Sequence, residues 1–558
     1  MHGWPTAAGI QQEEEMSERA FGRRSFLVGT GGAAVLLGMG SVSGCGTGGA
    51  ARQANTVASN AKVVLPAYVP YAGITPDLPA TAEGVEAAFR HFPKQRPKSV
   101  PEKPGNGETI NGMSHIYLPV PPGVDRNSYW AGLNDRLGID LKLQMVPAAD
   151  YEQKFATTIA GNELPDVMQL RPVSNLPALL DRQFTRLDDY LAGDAIKKYP
   201  NLANIPTQHW KATVFNGGIY GIPIPRGAVS VYHFIRQDLF EAAGVSPEPK
   251  GLTELTETAK VLTDPKARRW AFGHWNGVQQ YLLMMNGAPN GWRAEGGRLV
   301  HQFETEEHKQ AIADLAQLWS AGIMHPDAFS DQFPAANLFA AGTVAVNFFD
   351  GYLGWNTYIQ NGASNPDFKL ALMPVYTRDG SELASWFRGY VTNVSITGLK
   401  KQSDPKKIEL ILRMLNWLAA PFGTEEYVYR VFGEEGVDHT VNGDGDPTLT
   451  QTGLTNTAVP IRYLSDAPAV IYQPGRSQDA DVQHAYQTKV LAKSTLNPTV
   501  GLFSNTHASK NTAVEKAFTN GVKEIVQGRK PISTLDDLVK TWRSSAGDAM
   551  RKEYEGQL

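Results

Sequence analysis

Residues 112–170 switch repeatedly between two hydrophobic periods, and this alternation restricts the fold more than any other feature of the chain. His115-Ile116-Tyr117-Leu118-Pro119-Val120 reads as a strand, closed by the turn Pro121-Pro122-Gly123. Residues 127–137 suit a helix stopped at Gly138. Ile139, Leu141, Leu143 and Met145 then alternate with polar neighbours, the period of two that marks a half-buried strand. Asp150 and Gln153 make a capping-box pair, and Tyr151, Phe155 and Ile159 follow on one helical face. Gly161 ends that helix, and 166–170 supplies a third strand. Strand–helix–strand–helix–strand with short connections implies a parallel sheet covered by helices. In such sheets ligands sit beyond the carboxyl ends of the strands, so the loops at 119–130 and 170–176 are site candidates on topology alone.

The rest of the chain continues in α/β fashion. Thr253 opens a helix carrying Leu255, Ala259 and Leu262 on one side. Thr305 caps another, with Glu306 and Glu307 at the positive end of its dipole, Ile312, Leu315 and Trp319 inside, and Gly322 closing it. Residues 344–349 form a buried strand. Asp404-Pro405 starts an apolar helix with Ile408, Ile411, Leu415 and Leu418, ended at Pro421. Ser533 and Asp536 start a late helix that Gly547 separates from a final one. There is no internal repeat.

The N-terminus has a different character. Arg23-Arg24 leads into a short apolar run, 26–39, that is too short and too glycine-rich to span a membrane. Small residues and the chain's only cysteine, Cys45, follow it. Arg23-Arg24-Ser25-Phe26-Leu27 resembles a twin-arginine export signal, with the general secretory route as the alternative. Val42-Ser43-Gly44-Cys45 resembles a bacterial lipobox, in which the cysteine is diacylated. Met16 is an alternative start to Met1. These features imply an extracytoplasmic protein held to the membrane by lipid on Cys45 alone. Residues 46–60 have tether composition, and 66–104 is a proline-rich extended arm.

Of 558 residues, 42% are hydrophobic and 19% charged, enough for two or three packed domains. One cysteine excludes internal disulfides, so a large core must stabilise the body. A net charge of −4 without basic clusters argues against nucleic-acid binding.

Several stretches carry a family resemblance. Tyr151…Lys154…Gly161-Asn162-Glu163-Leu164-Pro165-Asp166 resembles the "Y…K…aG.lPD" segment of extracellular solute-binding proteins. Gly218-Ile219-Tyr220-Gly221-Ile222-Pro223 is similar to their "G.iYGiP", and Ile235-Arg236-Gln237-Asp238-Leu239-Phe240 to "i.kDlf". Gly433-Glu434-Glu435-Gly436-Val437-Asp438 resembles the "G.EGvd" of the larger lipoprotein members. The resemblance runs from about residue 112 to the C-terminus. It implies a two-lobed, periplasmic-binding-protein-like α/β fold with several hinge crossings, and a monomer delivering a solute, most commonly a sugar, to ABC permease subunits. The expected lobes are 112–225 with 371–430, and 226–370 with 431–558. The expected crossings lie near Pro225 and Pro374.

A sugar has apolar C–H faces and a polar rim, so its site needs flat aromatic surfaces and fixed donors and acceptors. Tyr129 and Trp130 at the first strand–helix loop, and Trp275, Asn276, Trp292, Tyr352, Trp355 and Trp386 among glycines and polar residues, are the candidates. Core packing is the alternative for each. Trp319 and Trp417 lie within helical patterns and read as core. Arg171, Arg226 and Arg388 follow strands or the "YGIP" turn and offer forks for hydroxyls or a carboxylate, against ordinary salt bridges. Asp350 is an acceptor or a turn residue. No catalytic residue, cofactor or metal site is expected: 442–446 departs from a calcium loop at Pro447 and Gly453 and reads as a turn. Two other classes stay open. A secreted glycoside hydrolase would need two carboxylates across one bond, and the same binding fold could take a peptide or other solute.

Overall fold

The structure is a computed structural model that describes residues 55–348, 354–362, 364–389 and 396–558. The expected signal, the lipidation site Cys45, and the candidates Asp350 and Tyr352 lie outside the described residues.

The strand Glu108–Ile116 pairs in parallel with Ile139–Pro147 on one side and Val167–Gln169 on the other. Helices Ser128–Leu137 and Tyr151–Ala160 connect them. Local chemistry explains the boundaries. Asn127 accepts from the Trp130 N–H to start the first helix, and Gly138 ends it in the left-handed region at φ 61°. Tyr151 and Phe155 are buried as the pattern requires, but Asp150 makes no side-chain cap. Its backbone is already helical (φ −96°, ψ −9°), unlike the extended geometry a capping side chain normally needs. Ile396–Leu399 adds antiparallel to Val167–Gln169, and Ile222–Pro223 adds antiparallel to that, completing a five-stranded sheet.

A second, four-stranded sheet has the order Leu370–Leu372, Phe234–Arg236, Val344–Asn347, Trp270–Phe272. Only the last two strands are parallel. Each sheet has its own hydrophobic core. Ile110, Leu141, Leu202, Leu399 and Leu415 belong to the first, together with Val459 and Leu464. Phe234, Phe272, Leu315 and Val346 belong to the second, together with Leu372, Val375, Trp386, Val490 and Phe518. This differs from the division expected from sequence. Residues 371–389 stay with the second core because Leu370–Leu372 pairs with Phe234–Arg236, and the chain rejoins the first sheet at Ile396. Residues 459–464 return to the first core. Among the described residues, the chain passes between units between Pro223 and Phe234, between Phe387 and Ile396, and between Leu464 and Ser477.

The proline-rich arm is bound along its length. Ala67 and Val69 N–H groups donate to Gly193 O and Ala203 O at 3.0 and 2.9 Å. Ala88–Phe89 pairs in parallel with Ile471–Tyr472, and Ser99 and Val100 N–H groups donate to Glu426. Part of the expected tether, 46–60, is also bound, since Val57 N–H donates to Gln557 O at 2.9 Å.

Two other helix boundaries differ from expectation. The helix expected at Thr253 begins at Gly251, where the Lys250 N–H donates to Glu254. Gly547 does not separate two helices. Thr534–Trp542 continues through a π-helical turn, Arg543–Gly547, into Asp548–Glu555. Residues 442–446 form the turn of a hairpin between His439–Val441 and Pro447–Leu449.

Candidate ligand-binding cleft

The carboxyl ends of Glu108–Ile116 and Val167–Gln169 bring His115, Tyr117 and Arg171 together. His115 N–H donates to Gln169 Oε1 at 3.2 Å, which fixes the strand ends relative to each other. Arg171 Nη2 lies 2.9 Å from His115 Nδ1. Burial, then the charges of Arg171 and Arg226, hold the imidazole down to about 4. The ring is therefore neutral at physiological pH, and Nδ1 accepts from the permanently charged guanidinium. Arg171 also lies over the Tyr151 ring at 5.3 Å. The rings of Tyr463 and Tyr117 flank His115 at 4.2 and 4.7 Å, and Tyr117 is 47% exposed.

Beside this group is a buried carboxylate, Asp466. Arg430, Arg226 and Arg462 approach it at 2.7, 3.2 and 3.5 Å. Burial alone would raise the Asp466 carboxyl, but the arginines hold it below its ordinary value.

Arg171 also stands on the wall of a cavity of about 530 Å³ lined by both units. Phe215 and Ile396 line it from the first unit, and Trp292, Gln302 and Leu502 from the second. The units touch beside it, where Asn175 N–H donates to Asn505 Oδ1 at 2.7 Å. A second cavity, about 540 Å³, lies between the arm and the crossing segments. Tyr71, Phe89, Arg226, Arg388 and Phe422 are among its walls.

Residues 127–423 match the family described as bacterial extracellular solute-binding protein. The chain belongs to that family. Two relatives come from Bacillus subtilis (strain 168). The polygalacturonan/rhamnogalacturonan-binding protein YtcQ is 24% identical over 482 residues, covering 81% of this chain and 91% of its own. Lipoprotein LipO is 22% identical over 482 residues, covering 80% and 92%. Among solved structures, the alginate-binding protein AlgQ2 superposes with a TM-score of 0.58 at 17% identity, over 83% of this chain and 100% of that one. The N-glycan transport solute-binding protein NgtS from Streptococcus pneumoniae gives 0.58 at 17%, over 81% and 99%. The two-lobed fold is shared with these proteins.

In this solute-binding protein the sequence candidates have separate fates. Arg171 and Trp292 line the cavity between the units. Arg226 and Arg388 line the cavity beneath the arm. Asn276 is half-buried in the first turn of Trp275–Met285, just beyond the carboxyl end of Trp270–Phe272. Trp275 starts the same helix but is buried, stacked on Phe329 at 5.7 Å with Lys523 over its ring.

Four aromatic candidates are packing residues. Tyr129 and Trp130 lie on the inner face of Ser128–Leu137. There the Tyr129 hydroxyl donates to Arg430 O at 2.8 Å, and Trp130 Nε1–H to Leu141 O at 3.2 Å. Trp355 is 1% exposed and donates to Asp479 Oδ2 at 2.7 Å. Trp386 is buried between His233 and Tyr486, on a two-residue strand paired with Ser494–Thr495. Sequence reasoning did not single out His115, Tyr117 and Tyr463, which the structure brings together beside Arg171. The His-x-Tyr spacing at the end of the first strand was the available signal, since alternate residues share a face.

Proposed function

We propose that this solute-binding protein captures a carbohydrate between its two lobes and delivers it to an ABC permease in the membrane. The observation carrying this reading is a cavity walled by both lobes, with Arg171 contributed by the first and Trp292 and Gln302 by the second. Tyr117 and Tyr463 add ring surface at the strand ends, suited to sugar C–H faces. Arginine forks suit the polar rim. The names of its relatives, with polygalacturonan/rhamnogalacturonan, alginate and N-glycan in them, support a carbohydrate.

In this reading the first lobe is 55–225 with 396–476, and the second is 226–389 with 477–558. Arg226 and Arg388 belong to the hinge. Asn276 contributes to the second lobe's binding face, and Asp350 and Tyr352 remain ligand residues in this reading. Cys45 carries the lipid that holds the protein, as a monomer, outside the membrane. No bond of the solute is broken.

Calorimetric titration of the full chain with a panel of neutral and acidic oligosaccharides tests this. Saturable binding without product is expected. Absence of binding to every member, or steady hydrolysis abolished by one carboxylate substitution, would overturn the reading.

A further inference from the structure

The charge distribution in the cleft goes further and rests on that reading. Among the described residues, no carboxylate lies within ion-pair distance of Arg171, whose one polar side-chain partner is His115. His115 is neutral and returns no charge to it. The Arg171 Nε–H is buried without an acceptor. Next to it, Arg226 and Arg430 share the single carboxylate Asp466, and Arg226 is close enough to depress the His115 imidazole together with Arg171. The cavity lining contributes one carboxylate among the described residues, Glu515, on the opposite lobe. The lining histidines, His301 and His507, are both held below their ordinary values by burial, and so add no positive charge near neutral pH.

An arginine kept charged, held in place by a neutral imidazole and an aromatic face, and left without a counterion is a receptor for an anion. Its planar fork matches a carboxylate better than a hydroxyl. We infer that the solute carries a carboxylate, as an oligosaccharide of uronic acids does, and that Arg171 receives it. His115 is the positioning residue: its Nδ1 orients the guanidinium toward the cavity while contributing no charge. The closing of the lobes removes water from this contact, which strengthens an otherwise screened charge pair.

The test compares tetragalacturonate with neutral galactotetraose, titrated into the full chain at low and high salt. The acidic sugar should bind at least ten-fold tighter at low salt, and salt should reduce the advantage. Arg171→Gln should weaken the acidic sugar about ten- to hundred-fold, the usual range for a lost charge-assisted bond, and the neutral one by a much smaller factor. Arg171→Lys, which keeps the charge, should retain part of the preference and guards against a folding defect in the glutamine variant. Equal or tighter binding of the neutral sugar, or an Arg171→Gln variant with unchanged acid affinity, overturns the inference and leaves the carbohydrate reading standing. Binding of neither tetramer, nor of any other oligosaccharide, overturns both.

Discussion

Gln487 donates from one amide nitrogen to both the Glu86 carboxyl and the Tyr232 hydroxyl, at 3.0 and 2.9 Å. Three separate stretches meet there: the proline-rich arm, the first crossing between the lobes, and the helix Ser477–Leu491 that follows the third. Glu86 N–H completes the link by donating to Gln487 Oε1 at 3.0 Å. The arm is thus fastened to the hinge by a polar network inside the protein.

That fastening has a pH signature. Burial pushes the Glu86 carboxyl up, and the Gln487 bond offsets this only in part. A carboxyl raised on folding contributes stability that is complete below its ordinary value, about pH 4.3, and is lost as pH rises through the raised value. Glu86→Gln keeps the shape without the titration. Thermal melts should show it more stable than the parent at pH 8, with the gap shrinking toward pH 4. A constant gap across that range would disprove the assignment.

Asp466 works in the opposite direction. Its carboxyl is depressed on folding, so its stabilisation holds above the ordinary carboxylate value and is lost as pH falls through the depressed one. Asp466→Asn leaves the buried Arg430 without a counterion, a change that costs about 3–5 kcal/mol. Denaturant unfolding at pH 7 should show that loss, and a decrease under about 1 kcal/mol would argue that Arg430 finds water or another partner.

Gly547 is glycine for space, not for backbone freedom. Its φ and ψ are helical, −57° and −47°, where alanine would normally gain up to about 1 kcal/mol. A Cβ there would lie 2.5 Å from the buried Trp542 ring. Gly547→Ala should therefore destabilise by about 1–3 kcal/mol through overpacking. A raised melting temperature would show that the indole moves aside.

Which parts of this were legible in sequence follows from the range of the interactions. Asn127, Gly138 and the alternation Ile139, Leu141, Leu143 act within a few residues, so the first sheet could be read locally. Leu372 joins the second sheet only by pairing with Phe234, well over a hundred residues earlier, and no local pattern carries that information. The burial of Trp355 and Trp386 was hidden for the same reason. Trp386 sits on a strand too short to show a period, and the buried Trp355 donates to Asp479, 124 residues away. Arg171 could be placed from sequence because it directly follows a readable strand. Asp466, the partner of Arg226 across 240 residues, had no such marker.

In the proposed reading, the crossings between the lobes restrict their relative motion to rigid-body closure, in which a ligand shifts the balance only by its differential affinity for the closed form. Arg171 and Tyr117 belong to one lobe and Trp292 to the other, so only closure lets all three touch one solute. Tyr117→Ala removes exposed ring surface, and should weaken binding by about 1–3 kcal/mol, by analogy with burial of a large apolar side chain. That is roughly ten- to hundred-fold in affinity. Trp130→Ala is the contrasting case: Trp130 packs in the first core, so its loss should lower the melting temperature while the folded fraction binds as before. Small-angle scattering with and without a bound oligosaccharide should show a smaller radius of gyration in the complex. An unchanged radius, with Tyr117→Ala binding as tightly as the parent, would refute both the closure and the placement of the solute at the strand ends.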